Sequence, residues 1–209
     1  MKELILAYKR RKPEIKKRLR QFKEAWKGSE KEVFAELCFC ICTPQSKAVY
    51  SDKAVKSLVK SGVLYSGTSR QIRAHLHSVR FPNNKSRYIV EARRLFSRGG
   101  RISIKDRIDA SNPFGSRHWL VRNVKGIGLK EASHFLRNVG LGRDLAILDV
   151  HILKNMARYN IVAEIPKSIS EKAYLSLEKK LKKFSQKTGI PLDELDLLFW
   201  SLETGHIFK

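Results

Sequence analysis

Trp119-Leu-Val-Arg-Asn-Val-Lys-Gly-Ile-Gly-Leu-Lys-Glu-Ala-Ser-His-Phe-Leu-Arg-Asn138 is the most informative stretch of this chain. Apolar residues at helical spacing flank Lys125-Gly126-Ile127-Gly128, which predicts two short helices joined by a tight hairpin over about residues 116–138. Gly126 and Gly128 supply a turn without Cβ atoms. Unpaired N–H groups at the start of the second helix carry partial positive charge, so a phosphate can approach them closely. Such a clamp grips a backbone and reads no bases. Taken alone, Gly-x-Gly between helices is more often a plain turn. The rest of the chain has to decide between the two readings.

The charge favours the clamp. Among 209 residues, 43 are Lys or Arg and 20 are Asp or Glu, a formal net charge of +23. The cations are spread along the chain, at Lys9 to Lys12, Lys16 to Arg20, Arg87 to Arg98 and Lys179 to Lys183. That spread implies a folded body with a basic face, and a polyphosphate such as DNA is the partner that offsets it. An apolar content of 42% supports a real core and excludes a disordered basic tail. The length suits one compact unit, or two small lobes around a shared cleft. No apolar run reaches the ~18 residues of a membrane span, and the N-terminus reads as a helix start. Cys38, Cys40 and Cys42 cluster in one segment, which points to buried thiols in a reducing, cytoplasmic setting and excludes a disulfide scaffold.

Outward from the hairpin, helical periodicity dominates. Pro13 is expected to open a helix carrying Ile15, Leu19, Phe22 and Trp26, which Gly28 stops. Ser29 with Glu32 forms a capping box before Val33, Phe34, Leu37, Cys38 and Ile41. The chain breaks at Thr43-Pro44, and a further helix carries Val49, Val55, Leu58 and Val59. Ser69 is expected to cap a short helix, Arg80 to Asn84 to form a loop, and Arg101 to Ile104 to be the one short strand. Helices follow after Asp149, after Ser170 and after Pro191. The predicted fold is all-α, a single unit over residues 1–209, with two helical lobes around a DNA-binding cleft.

Two residues carry chemistry. Lys130 lies in the first turn of the second hairpin helix, where a cation is disfavoured, so the helix end and neighbouring cations should lower its pKa. A neutral amine there is a nucleophile able to form a Schiff base, although a surface lysine touching phosphate fits the spacing as well. Asp149 follows the apolar run Leu145 to Leu148 and opens a helix. It reads as an N-cap, a role that also orients its carboxylate to stabilise positive charge on a sugar or accept a proton.

Gly126-Ile-Gly-Leu-Lys-Glu-Ala-Ser133 followed by Leu148-Asp-Val-His151 resembles the helix-hairpin-helix, glycine/proline-rich loop and aspartate superfamily of DNA glycosylases. Lys130 and Asp149 stand 19 positions apart, which suits that pattern. Glu36 to Thr43, Arg80-Phe81, Tyr88 to Arg94 and the ending Leu-Phe-Trp-Ser-Leu-Glu-Thr-Gly-His-Ile-Phe-Lys209 look most like the compact archaeal-type 8-oxoguanine DNA glycosylase/AP lyases. The resemblance implies that Lys130 attacks the sugar C1′, expels the oxidised base and cleaves the strand by β-elimination, with Asp149 assisting. It implies a base pocket of Phe81, His134, Trp200 and Lys209, the terminal carboxylate approaching the base. It implies DNA contacts at Gln45, Arg80, Lys125, Gly126 and Gly128, with Gln45 entering the duplex. Carbonyls of Arg122, Val124 and Ile127 match those that hold a structural Na⁺ or K⁺. No other cofactor is implied, and with no fourth ligand beside the cysteines an iron–sulfur cluster is not expected. Thr43-Pro44-Gln45 and Val150 depart from the branch, which usually has Ala-Asn and a basic residue there. The expected partner is duplex DNA containing 8-oxoguanine, bound by a monomer with no membrane involved. The competing readings are a helix-hairpin-helix binding module without catalysis, and a glycosylase of the same fold for another damaged base.

Overall fold

The computed structural model describes residues 1–166 and 168–209. Among them are eleven α-helices and one minimal hairpin of strands. Helix α1 (Lys2–Lys27) runs straight through Pro13, correcting the expectation that this proline opens a helix. An interior proline costs about 3 kcal/mol. The continuous stripe Leu4, Tyr8, Ile15 and Phe22, all buried, outweighs it at about 1.5–3 kcal/mol per side chain. Helix α2 (Glu30–Cys42) starts at the Ser29–Glu32 capping box and is buried over almost all of its second half, so it forms the centre of one lobe.

Helix α3 (Ala48–Lys60) turns Ala54, Val55 and Leu58 inward, while Val49 and Val59 face solvent, contrary to the predicted stripe. After α4 (Val63–Ser66), helix α5 (Ser69–His75) is capped by Thr68 with Gln71, one residue before the expected Ser69. Helix α6 (Pro82–Leu95) takes in Asn83 and Asn84, expected as loop, because Pro82 is pre-set for a first helical position. Strands β1 (Ser97–Arg98) and β2 (Arg101–Ile102) pair antiparallel, so strand structure covers only half of the expected segment. The hairpin consists of α7 (Pro113–Asn123) and α8 (Leu129–Asn138), its first helix beginning earlier than predicted because Asn112 caps it at Gly115. Helices α9 (Val150–Arg158), α10 (Glu171–Thr188) and α11 (Leu192–Thr204) complete the chain.

Two hydrophobic cores result. The first is built from α2 to α8 and includes Phe34, Phe39, Phe96 and Phe135. The second joins α1 to Ala146, Leu148 and α9 to α11, so both ends of the chain fold into one lobe. Tyr8 in α1 donates to Glu194 in α11 at 2.7 Å across that lobe. Helix α8 bridges the two, with Phe135 and Leu136 in the first core and Leu129 in the second.

A buried polar knot fixes what lies at the seam. Arg117 in α7 is fully buried and pairs with both oxygens of Glu178 in α10, at 2.6 and 2.9 Å. Glu178 Oε1 also accepts from Ala146 N at 2.8 Å, and Tyr174 OH donates to Ala146 O at 2.7 Å. The extended segment leading to Asp149 is therefore tied to the hairpin through α10. Glu178→Ala leaves a buried guanidinium without its partner, which costs about 3–5 kcal/mol. Thermal unfolding should show a midpoint lowered by roughly 10 °C. A drop of only one or two degrees would mean that Arg117 finds another anion.

Candidate active site

The two residues singled out for chemistry line one cavity of about 550 Å³, together with Gln45, His134, Trp200 and Lys209. That volume lies within the range of small-molecule sites and accommodates a nucleobase with its sugar. Lys130 reaches it from the first turn of α8, and Asp149 from the N-terminus of α9. Asp149 is the N-cap: its Oδ1 accepts from His151 N at 2.8 Å and from Ile152 N at 2.9 Å. Those two bonds fix the carboxylate and leave Oδ2 without a hydrogen bond among the described residues.

Lys130 Nζ contacts Glu131 Oε1 at 2.8 Å. The other oxygen of Glu131 accepts from Gly128 N at 3.2 Å. Sequence reasoning attached no role to Glu131, although a glutamate three residues into a helix is a signal for this capping contact. Gly126 has φ +80°, and a Cβ there would run into the Tyr88 ring, so glycine is required twice over. Gly128 is different: its backbone is extended (φ −104°, ψ −172°), and its N–H is already engaged by Glu131. The hairpin donors left without a partner among the described residues include the N–H groups of Leu129 and Lys130. Lys125 lies beside them and pairs with Glu91 at 3.0 Å.

His134 lies deeper, edge-on to Phe39 with ring centroids 5.5 Å apart. Burial pushes its pKa well below the usual value, and the charges of Arg137, Lys130 and Lys209 add to the effect, so the ring is neutral at pH 7. Its Nε2 has no hydrogen-bond partner among the described residues. Trp200 forms a wall of the cavity and packs against His151, His206 and Phe208. The Lys209 ammonium is held by Asp52 at 2.9 Å and Glu36 at 3.1 Å, and lies 4.3 Å from the centre of the Phe39 ring. Burial opposes that charge, but Glu36 and Asp52 outweigh it and raise the pKa. A residue of the second lobe is thereby pinned to the first.

Phe81 does not line the cavity. It is 48% exposed, with the Arg80 guanidinium 5.6 Å from its ring centre. Both Phe81 (φ +57°) and Gln45 (φ +54°) have left-handed backbones, which cost a non-glycine residue about 1–3 kcal/mol each. Lys85 is the reason the Gln45 loop holds this shape. Its Nζ donates to Cys42 O and Pro44 O, both at 2.7 Å, and to Ser46 Oγ at 3.1 Å. Ser46 Oγ in turn accepts from Arg80 N at 2.9 Å, tying the Gln45 loop to the Phe81 loop. Burial lowers the Lys85 pKa to about 8. Nothing local in the sequence separates this lysine from its many solvated neighbours.

Asp196 in α11 is buried, 3.6 Å from Arg137. Burial raises its pKa to about 7; Arg137 acts the other way, and the charges of Asp149 and Asp193 reinforce the rise. Cys38, Cys40 and Cys42 are all fully buried in α2. Among the described residues no three His, Cys, Asp or Glu side chains converge as a metal site, and no helix is long and apolar enough to cross a membrane.

A family model described as 8-oxoguanine DNA glycosylase matches residues 15–190. The 8-oxoguanine DNA glycosylase/AP lyase of Fusobacterium nucleatum is 43% identical over 209 residues, covering 99% of this chain and 96% of the relative. The crystal structure of the Thermotoga maritima 8-oxoguanine DNA glycosylase superposes with a TM-score of 0.83 at 39% identity, covering 100% of this chain and 97% of that one. The Methanocaldococcus jannaschii 8-oxoguanine glycosylase/lyase, in complex with a 15mer DNA containing 8-oxoguanine, superposes with a TM-score of 0.89 at 36% identity, each chain covered in full. With a lysine and a capping aspartate at one cavity beside a helix-hairpin-helix, and relatives matching it from end to end, the chain belongs to the 8-oxoguanine DNA glycosylase family.

Proposed function

We propose that this member of the family excises 8-oxoguanine from duplex DNA and nicks the resulting abasic strand, with Lys130 as nucleophile and Asp149 as the carboxylate that eases base departure. The observation carrying the assignment of roles is that both side chains line one cavity large enough for an everted nucleotide. A base inside a duplex keeps its C1′ out of reach, so the nucleotide must leave the stack at a cost of a few kcal/mol. Backbone gripping by the hairpin donors and by the basic surface offsets that cost. Gln45, held at the rim by the Lys85 tether, is the residue that fills the vacated place.

Lys130 gives up a proton before attack, and Glu131 Oε1 at 2.8 Å is an acceptor within reach. The amine then bonds to C1′ as the glycosidic bond breaks. The Asp149 carboxylate stabilises the positive charge that develops on the sugar. Ring opening yields a Schiff base, and loss of a C2′ proton expels the 3′ phosphate. Base selection follows from one proton: 8-oxoguanine carries N7–H where guanine presents an acceptor. A main-chain oxygen of Lys209 or the neutral His134 ring would accept from N7–H and leave guanine unsatisfied. Trp200 supplies a stacking wall, and Phe81, outside the cavity in this structure, is the second stacking face that DNA binding would have to bring to the base.

Carbonyls of Arg122, Val124 and Ile127 accept no hydrogen bond from the described residues, so they fit a Na⁺ or K⁺ ion that would stiffen the turn. We infer that it acts as a monomer on DNA in the cytoplasm, a setting that keeps its three cysteines as free thiols. Borohydride trapping on duplexes carrying 8-oxoguanine, other oxidised bases or guanine tests the whole reading. A covalent adduct is expected with 8-oxoguanine and none with guanine. Trapping of another lesion in preference would move the substrate assignment, and no adduct with any duplex would leave a binding protein.

A further inference from the structure

At the far end of α8 from Lys130 lies a second cavity, of about 350 Å³, between α1, the loop after α8 and the start of α11. Five cations line it, Lys16, Arg20, Lys23, Arg137 and Arg143, facing two carboxylates, Asp193 and Glu194. Glu194 is already engaged by the Tyr8 hydroxyl. Seven residues along a helix is about 10 Å, so this cleft is separate from the one that Lys130 enters.

Arg137 is the decisive observation. It is 5% exposed, and its Nε and Nη1 have no hydrogen-bond partner among the described residues. Its nearest carboxylate, Asp196, is 3.6 Å from Nη2, and its other neighbour is the Phe22 ring, 4.8 Å from the guanidinium carbon. Leaving charged donors buried and unpaired is costly, and the negative charge of an anion seated in the cleft that Arg137 lines would offset that cost through space. The cleft is also tightly constructed. A Cβ on Gly140 would lie 2.6 Å from Lys23 Cα, and one on Gly142 would lie 2.5 Å from Arg137 N. Gly140 therefore lets the loop after α8 lie against α1, and Gly142 lets that loop fold back on the end of α8 at Arg137. Lys16, Arg20, Lys23 and Arg143 take part in no ion pair among the described residues.

We propose that this cleft is a second anion site that takes a phosphate group, with Arg137 as a buried positive charge at its base and Lys16, Arg20, Lys23 and Arg143 around its mouth. The exposed guanidinium of Arg20 or Arg143 matches two phosphate oxygens at once. The cationic excess over the two acids suits a dianion better than a carboxylate. The phosphate is either free in solution or borne by a stretch of DNA beyond the lesion.

Calorimetric titration of the DNA-free protein with inorganic phosphate, at constant ionic strength in chloride, tests this. Saturable binding is expected, weakened at least tenfold in Arg20→Ala/Arg143→Ala and unchanged in Lys179→Ala, which removes an exposed cation of α10 outside the cleft. Both substitutions in the double variant are at exposed rim positions, so folding is preserved; Arg137→Met is a second variant, checked for folding by thermal melting. Repeating the titration on the enzyme bound to duplex separates the sources. Persistence of the site identifies a free anion, and its loss together with weaker DNA binding by the double variant identifies a DNA phosphate. No saturable binding, or equal binding by wild type and the double variant, overturns the proposal.

Discussion

Lys130→Gln is expected to give no borohydride-trapped adduct and to lower strand cleavage on the order of 10³-fold or more, the scale of removing a covalent nucleophile. Duplex affinity should change little, because the hairpin N–H groups and the surrounding cations remain. The fold should also persist. Glutamine is close to lysine in helix propensity, and the lost contact with Glu131 is partly exposed, worth at most about 1 kcal/mol. Lys85 is the natural rival, since burial brings its pKa to about 8. Yet its ammonium is enclosed by Cys42 O, Pro44 O and Ser46 Oγ. An amine locked among three acceptors is not free to attack a sugar. Single-turnover cleavage and trapping on an 8-oxoguanine duplex read the outcome, and an adduct at wild-type yield in Lys130→Gln would transfer the role to another amine.

Asp149→Asn separates the two jobs of that residue. Asparagine is as good an N-cap as aspartate, so the contacts to His151 N and Ile152 N survive and stability should stay within a few tenths of a kcal/mol. Base release, which needs the negative charge, should fall about 10²- to 10⁴-fold. Asp149→Ala should add a loss of about 0.5–2 kcal/mol in stability from the missing cap. Quantifying released 8-oxoguanine beside the thermal midpoint distinguishes charge from cap. Full activity in the asparagine variant would remove Asp149 from the chemistry.

Much of this site is local, and so it is readable along the chain. Gly-x-Gly between apolar stripes, a lysine in a first helical turn and an aspartate after an apolar run each depend on near neighbours. Misread details arose where a distant contact outweighed a local preference. Pro13 sits inside α1 because the buried stripe continues on both sides of it. Val49 and Val59 face solvent because Ala54, Val55 and Leu58 suffice to seat α3 on its lobe. Gly128, expected to serve the turn, is extended and is held by Glu131 instead.

Periodicity, capping signals and charge were enough for an all-helical, DNA-directed body with an amine and a carboxylate at two helix starts, because those features are written within a few residues of one another. Folding alone brought the two groups to one cavity and chose the buried cations that shape it. Arg117 meets Glu178 across 61 positions, and Lys85 meets Cys42 O across 43. Burial and partner, not residue type, make those contacts strong, and neither quantity exists until the chain has closed on itself.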